Sequence, residues 1–259
     1  MLTRLVPPFF NRLILLGLCL FSSLSFFSAS VLAQEVSEMD AIANIREVLS
    51  VTQPDMLIGN IKPSPIAGLY EVNIQNSQTL YASADANYFI PGDLYQLSPQ
   101  GLVNLGEQKR NVQRGEKIAA LDESEMIVFE AKGERKGLLT VFTDVDCPYC
   151  SKLHAEVSAL NGAGIAVRYL AYPRTGLDTE TYFKMVSTWC SEDRQLMYTV
   201  ATRGGDVAST ECANPVSKHY RLGREVGVTG TPALVLEDGS LLPGYIPAAT
   251  LISYILPTP

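Results

Sequence analysis

Between Gly137 and Cys150 the chain reads GLLTVFTDVDCPYC, an apolar run that leads straight into two cysteines separated by Pro148 and Tyr149. A short apolar run of this kind marks a buried strand. Proline suits the first turn of a helix, where its missing N–H costs nothing. The paired cysteines are therefore expected at a junction where a buried strand ends and a helix begins near Pro148. A second apolar run, IAVRYLAY from Ile165 to Tyr172, completes a βαβ pattern, with MIVFEA from Met126 as a further strand. This arrangement requires a layered α/β unit around a buried sheet.

The junction also determines the chemistry open to the cysteines. Unpaired backbone N–H groups and the positive end of the helix dipole stabilise a thiolate on the first sulfur. Cys147 is then the expected attacking thiolate, and Cys150, one turn further in, can resolve a mixed disulfide. Two other readings compete with redox exchange. A zinc site needs two further ligands, but Cys190, Cys212, His154 and His219 form no second CxxC. An inert bridge across CxxC strains a helix start for little loop-closure gain. Electron exchange is the reading favoured by this placement.

The compartment follows from the first 33 residues. Arg4 and Arg12 precede an uncharged apolar run from Leu13 to Leu32 that ends in Val31-x-Ala33, the pattern of a cleavable secretory signal. Ser22, Ser23, Ser25, Ser28 and Ser30 dilute the apolarity an uncleaved anchor needs, and bulky Leu18 before Cys19 is unsuited to lipid attachment. A mature chain beginning near Gln34 is expected, with no membrane insertion after cleavage. Losing Arg4 and Arg12 moves the formal charge from −7 to −9, which argues against a nucleic-acid or anionic-membrane surface. Four cysteines remain, an even count that favours disulfides in an oxidising compartment.

Ahead of the α/β unit the pattern changes. Ile42, Ile45, Val48 and Leu49 recur at helical spacing from Met39 to Leu49, and Pro54 stops the helix. The following stretch, GLYEVNIQNSQTLYASADANYFIPGDLYQL, alternates polar and apolar residues, with turn signals at QNSQ, SADAN and PGD. A module of this size has little core of its own, and pairing with a second copy would cover its strand edges and apolar face. The polar segment NLGEQKRNVQRGEKIAAL, Asn104 to Leu121, reads as a helical linker. Downstream, a helical stretch from Thr179 to about Tyr220 carries Cys190 and Cys212. It is followed by TPALVLEDGSLLPGY, a hairpin turning at Asp238-Gly239. In GVTGTPALV, the glycine-rich approach to Pro232 favours a cis proline entering a strand, with a trans proline at a strand edge as the alternative.

FTDVDCPYCSKLH, GIAVRYLAYPRTGLD, the pair Trp189-Cys190 and GVTGTPALVLEDGSLLPGY, in this order, resemble the DsbC/DsbG family of periplasmic thioredoxin-fold disulfide isomerases. The similarity is dense from Met126 to Ile255 and weaker in the amino-terminal module, where it includes PSPIAGLYEV. It implies an α+β chain: a signal over 1–33, a helix-plus-antiparallel-sheet dimerisation domain over 34–103, a linker helix over 104–121, and a thioredoxin-like α/β catalytic domain with a helical insertion over 122–259. It also implies a homodimer that rearranges misfolded disulfide-containing proteins, with chaperone activity and with the membrane reductase DsbD as electron donor. No cofactor or metal is implied.

Carried onto this sequence, Cys147 is the nucleophile and Cys150 the resolving thiol, together the redox-active disulfide. Thr231 and cis-Pro232 sit against the sulfurs and offer backbone to an extended substrate, with Tyr149 exposed beside them. Cys190 and Cys212 match the family's structural disulfide. Two departures stand out. The dipeptide between the cysteines is Pro-Tyr rather than Gly-Tyr, as in DsbG and glutaredoxins. Asp146 directly precedes the nucleophile, where its charge opposes a thiolate although it can also serve as a helix N-cap. His154 is expected to be a packed or surface histidine rather than to move protons, and Trp189 to be core.

Overall fold

The computed structural model describes residues 37–74, 79–99 and 101–256. The expected signal peptide and the turn at 75–78 lie outside these residues.

The amino-terminal helix, α1 (Glu38–Thr52), begins where the Ser37 side chain accepts from the Asp40 N–H, a conventional cap for unpaired first-turn donors. Its buried face, Ala41, Ile45 and Leu49, packs on an antiparallel sheet of β1 (Ile58–Pro63), β2 (Leu69–Ile74), β3 (Leu80–Ser83) and β4 (Phe89–Pro91), in that order. The sequence pattern did not announce β1. Gly59 lies close under the opposite strand: a Cβ there would stand 3.1 Å from the Asn73 carbonyl oxygen, tighter than ordinary contact. A separate hairpin, β5 (Tyr95–Ser98) and β6 (Gly101–Asn104), leaves Tyr95, Leu97 and Leu102 exposed.

The linker segment is helical, α2 (Leu105–Ala119), capped by Asn104 accepting from the Glu107 N–H. It is bonded to both neighbours. Lys109 pairs with buried Glu71 of β2, and Arg110 forks onto Asp93 with contacts of 2.8 and 2.6 Å. On the other side the buried Arg114 guanidinium donates to the carbonyls of Val226 (3.0 Å) and Gly239 (2.6 Å). Gly239 turns at φ +80°, and a Cβ there would run into the Asn111 carbonyl of α2, so only glycine suits both the turn and the close approach.

The carboxyl-terminal unit is a five-stranded sheet ordered β11 (Leu241–Pro243), β10 (Ala233–Val235), β8 (Gly137–Thr143), β9 (Ile165–Ala171), β7 (Ile127–Phe129). β8 and β9 are parallel, as the βαβ pattern requires, and the other pairings are antiparallel. Helices α3 (Pro148–Ala155) and α4 (Val157–Gly162) form the crossover. The long helical stretch resolves into α5 (Glu180–Trp189), α6 (Arg194–Thr202) and α7 (Val216–Glu225), and α8 (Ala248–Ile255) closes the chain. The main core lies beneath β8 and β9 and includes Leu139, Val141, Leu153, Leu160 and Trp189. Central strands covered on both faces lose the polar-apolar alternation, which is why GLLTVFT and IAVRYLA read as continuous apolar runs.

Candidate active site

The site lies off the carboxyl end of β8, where ligands meet parallel strands. Cys147 is the residue before the helix, with φ −90° and ψ 119°, and Pro148 occupies the first helical turn. No side chain caps α3. Its first N–H groups are therefore left to the sulfur, and those of Tyr149 and Cys150 both favour a Cys147 thiolate. Both cysteines are free thiols in buried residues, and the difference between them lies in the surroundings of each sulfur.

A hydrogen bond from the Cys150 thiol has the largest effect on Cys147 and pulls its pKa down. Burial opposes this, but the bonds from Cys150, Thr231 and the backbone donors together outweigh it, so the net position is well below an ordinary thiol. Cys150 moves the opposite way, pushed up by burial and then by its bond to Cys147. The pair is divided into a ready thiolate and a protonated reserve.

The Thr231–Pro232 peptide is cis and opens β10. In its protonated form the Cys147 thiol donates to the Thr231 carbonyl oxygen over 3.3 Å. Among the described residues the buried Thr231 Oγ1 has no hydrogen-bond partner, leaving a hydroxyl donor free to meet a thiolate. Tyr149 stands 61 % exposed between the cysteines. Cys190 and Cys212 are bonded to each other, tying the end of α5 to the segment before α7.

The Asp146 carboxylate is not an N-cap. It faces α5, where Lys184 Nζ reaches Oδ1 at 2.7 Å and Thr181 Oγ1 donates to Oδ2 at 2.8 Å. Capping would require the carboxylate to fold back over α3, whereas Lys184 offers a full charge. Partial burial pushes the Asp146 carboxyl up, but the hydrogen bonds and charges of Lys184, Thr181 and Arg174 together hold it below the usual carboxylate range. Sequence reasoning missed these partners, and also Asp144, which is buried, accepts from the Asp146 N–H and receives Arg174 Nε at 3.0 Å. Arg174 Nη2 also donates to the Asp146 carbonyl. The motif contained Asp144, but nothing in it pointed to cations some thirty to forty residues away.

His154 is packed. Its ring nitrogens meet Tyr169 Oη at 3.1 Å and Thr199 Oγ1 at 2.9 Å, edge-on to Phe129 and Tyr198. Trp189 is fully buried and donates to the Glu125 carbonyl.

Residues 33–107 match the family model of the disulfide bond isomerase protein N-terminal domain, and residues 123–256 match a thioredoxin-like domain. The thiol:disulfide interchange protein DsbC of Escherichia coli strain K12 is 36 % identical over 239 residues, covering 92 % of this chain and 94 % of that protein. DsbC of Dickeya dadantii is 40 % identical over 195 residues, covering 75 % and 79 %. A crystal structure of a disulfide interchange protein from Neisseria gonorrhoeae aligns with 30 % identity and a TM-score of 0.46, covering 52 % of this chain and 98 % of that one. With both family models matched in order and near full-length similarity to named relatives, the chain belongs to the DsbC family of thiol:disulfide interchange proteins.

Proposed function

We propose that the chain is an exported disulfide isomerase that works through Cys147. The Cys147 thiolate attacks one sulfur of a wrongly paired substrate disulfide; a protein–substrate S–S bond forms, the substrate S–S bond breaks, and the second substrate sulfur leaves as a thiolate. That thiolate, or another substrate cysteine, then attacks the mixed disulfide. The correct substrate bond forms and Cys147 returns as a thiolate, with no net oxidation. When no substrate thiol attacks, Cys150 loses its proton and resolves the complex, leaving Cys147 and Cys150 oxidised and the substrate reduced by two electrons. A DsbD-like membrane reductase would restore the pair.

The observation that carries this reading is the opposite displacement of two neighbouring thiols, Cys147 down and Cys150 up, beside Thr231 and cis-Pro232. Thr231 and Pro232, with Tyr149, would hold extended substrate, and Cys190–Cys212 would be structural. The pattern of residues 1–33 supports export to the periplasm. The exposed Tyr88, Ile90, Tyr95, Leu97 and Leu102 of the amino-terminal module support pairing with a second copy, and a cleft between two copies would also suit chaperone activity.

Pro148 between the cysteines favours a second reading, a DsbG-like protector that reduces single sulfenylated cysteines. Measuring both activities on one preparation separates them. Faster isomerisation of a scrambled multi-disulfide substrate is expected. A clear preference for the sulfenylated substrate would replace the first reading with the second.

A further inference from the structure

A cavity of about 490 Å³ lies between the end of β9, helix α7 and the loop that leads to cis-Pro232. The rings of Tyr172 and Tyr220 form one side, with centroids 5.1 Å apart and 36° between planes. The Tyr172 hydroxyl is already committed to the Val228 carbonyl at 2.8 Å, so what Tyr172 offers the cavity is its ring. The polar character comes from two guanidiniums, Arg174 and Arg224, and no carboxylate lines the space. In a chain of net charge −7 this is a local reversal of sign.

The two arginines differ in a way that suits a binding role. Arg174 is held in place by Asp144 and the Asp146 carbonyl. Arg224 is exposed, and among the described residues its side chain makes no ion pair or hydrogen bond. The cavity also adjoins the sulfur through the chain itself. Arg174 bonds the residue before Cys147, and lining residues Thr229 and Gly230 lead directly to Thr231, whose carbonyl oxygen receives the Cys147 thiol. A peptide disulfide-bonded to Cys147 and running back along this loop would bring a neighbouring side chain toward the cavity.

We infer that this cavity is a specificity subsite for substrate segments carrying an aspartate or glutamate close to the reacting cysteine. The carboxylate meets the free fork of Arg224, with Arg174 adding positive charge behind it. The aliphatic part of the side chain lies along the tyrosine rings. A lysine at the same position is repelled. The subsite rests on the proposed reaction at Cys147 and deepens it by naming a preferred substrate chemistry.

The test uses the full reduced protein and three short peptides, identical except for Glu, Gln or Lys beside a single cysteine held as an aryl disulfide. The Cys147 thiolate takes the peptide sulfur and the aryl thiolate leaves, so its absorbance reports each second-order rate. Glu is expected to react faster than Lys by about fivefold, the upper range for an exposed ion pair, with the difference shrinking at high salt. Arg224→Gln is expected to bring the two rates together, and Arg224→Glu to reverse their order; both changes are at an exposed position. Equal Glu and Lys rates in the parent protein, or a preference that survives in Arg224→Gln, would overturn the subsite while leaving the reaction intact. No reaction with any of the three peptides would overturn the reading of Cys147, and the subsite with it.

Discussion

Lys184 Nζ stands 2.7 Å from the carboxylate of Asp146, the residue directly before the nucleophilic position, so an acid that would otherwise oppose a thiolate is neutralised from another helix. Removing this cation leaves the Asp146 carboxylate, one residue from Cys147, with Thr181 as its side-chain donor and Arg174 as its remaining nearby cation. Lys184→Met is expected to raise the Cys147 pKa by up to about one unit, read from the pH dependence of its alkylation. Lys184→Arg should restore the parent profile, as should Asp146→Asn in the Lys184→Met background. A purely structural role for Lys184 would give no rescue by Asp146→Asn.

Thr231 contributes a donor that a valine of the same shape lacks. Its buried hydroxyl has no partner while Cys147 is a thiol, and gains one when the thiolate forms. Thr231→Val is expected to raise the Cys147 pKa by about one unit and to slow alkylation at neutral pH several-fold, as loss of one charge-assisted hydrogen bond requires. An unchanged alkylation profile would remove the hydroxyl from the site's electrostatics.

The strand-to-helix junction was legible because its causes are local: apolar residues for a doubly covered strand, proline for a first turn and cysteines at a fixed spacing. The hairpin at Asp238-Gly239 was legible for the same reason. What escaped was set by contacts distant in sequence. β1 went unassigned because the close pass of the Asn73 carbonyl over Gly59 is visible only once β2 is paired with it. Lys184 and Thr181 were not singled out, since nothing in the run ETYFKMVSTW announces a partner across the fold. The segment from Asn104 to Leu121 read as a helical linker without its contacts, because Arg114 in a polar run carries no sign that it will be buried against Val226 and Gly239.

Cys190 and Cys212 close a loop with a sequence separation of 22, and chain-entropy arguments assign such a bridge about 3 kcal/mol. Replacing both by alanine is expected to lower the urea midpoint accordingly while leaving Cys147 alkylation kinetics as they were. A coupled loss of thiol reactivity would assign this bridge to the redox chemistry rather than to stability.

His154 and His219 are buried, and burial lowers each pKa to about 4. Both therefore bind protons more readily in the unfolded chain. Their neutral forms contribute fully above the unfolded value of about 6.5, and that contribution falls as pH drops toward 4, by up to about 1.4 kcal/mol per pH unit for each histidine. Denaturant titrations between pH 7 and 4 should show this loss of stability. A flat profile across that window would contradict the assignment.

The most direct test of the central claim is the refolding of a scrambled multi-disulfide protein by the reduced parent chain and by Cys147→Ala, followed as regained substrate activity. The parent is expected to accelerate recovery of native pairing, and Cys147→Ala, though folded, to lose that acceleration. Isomerisation retained by Cys147→Ala would contradict the assignment of Cys147 as the attacking thiolate.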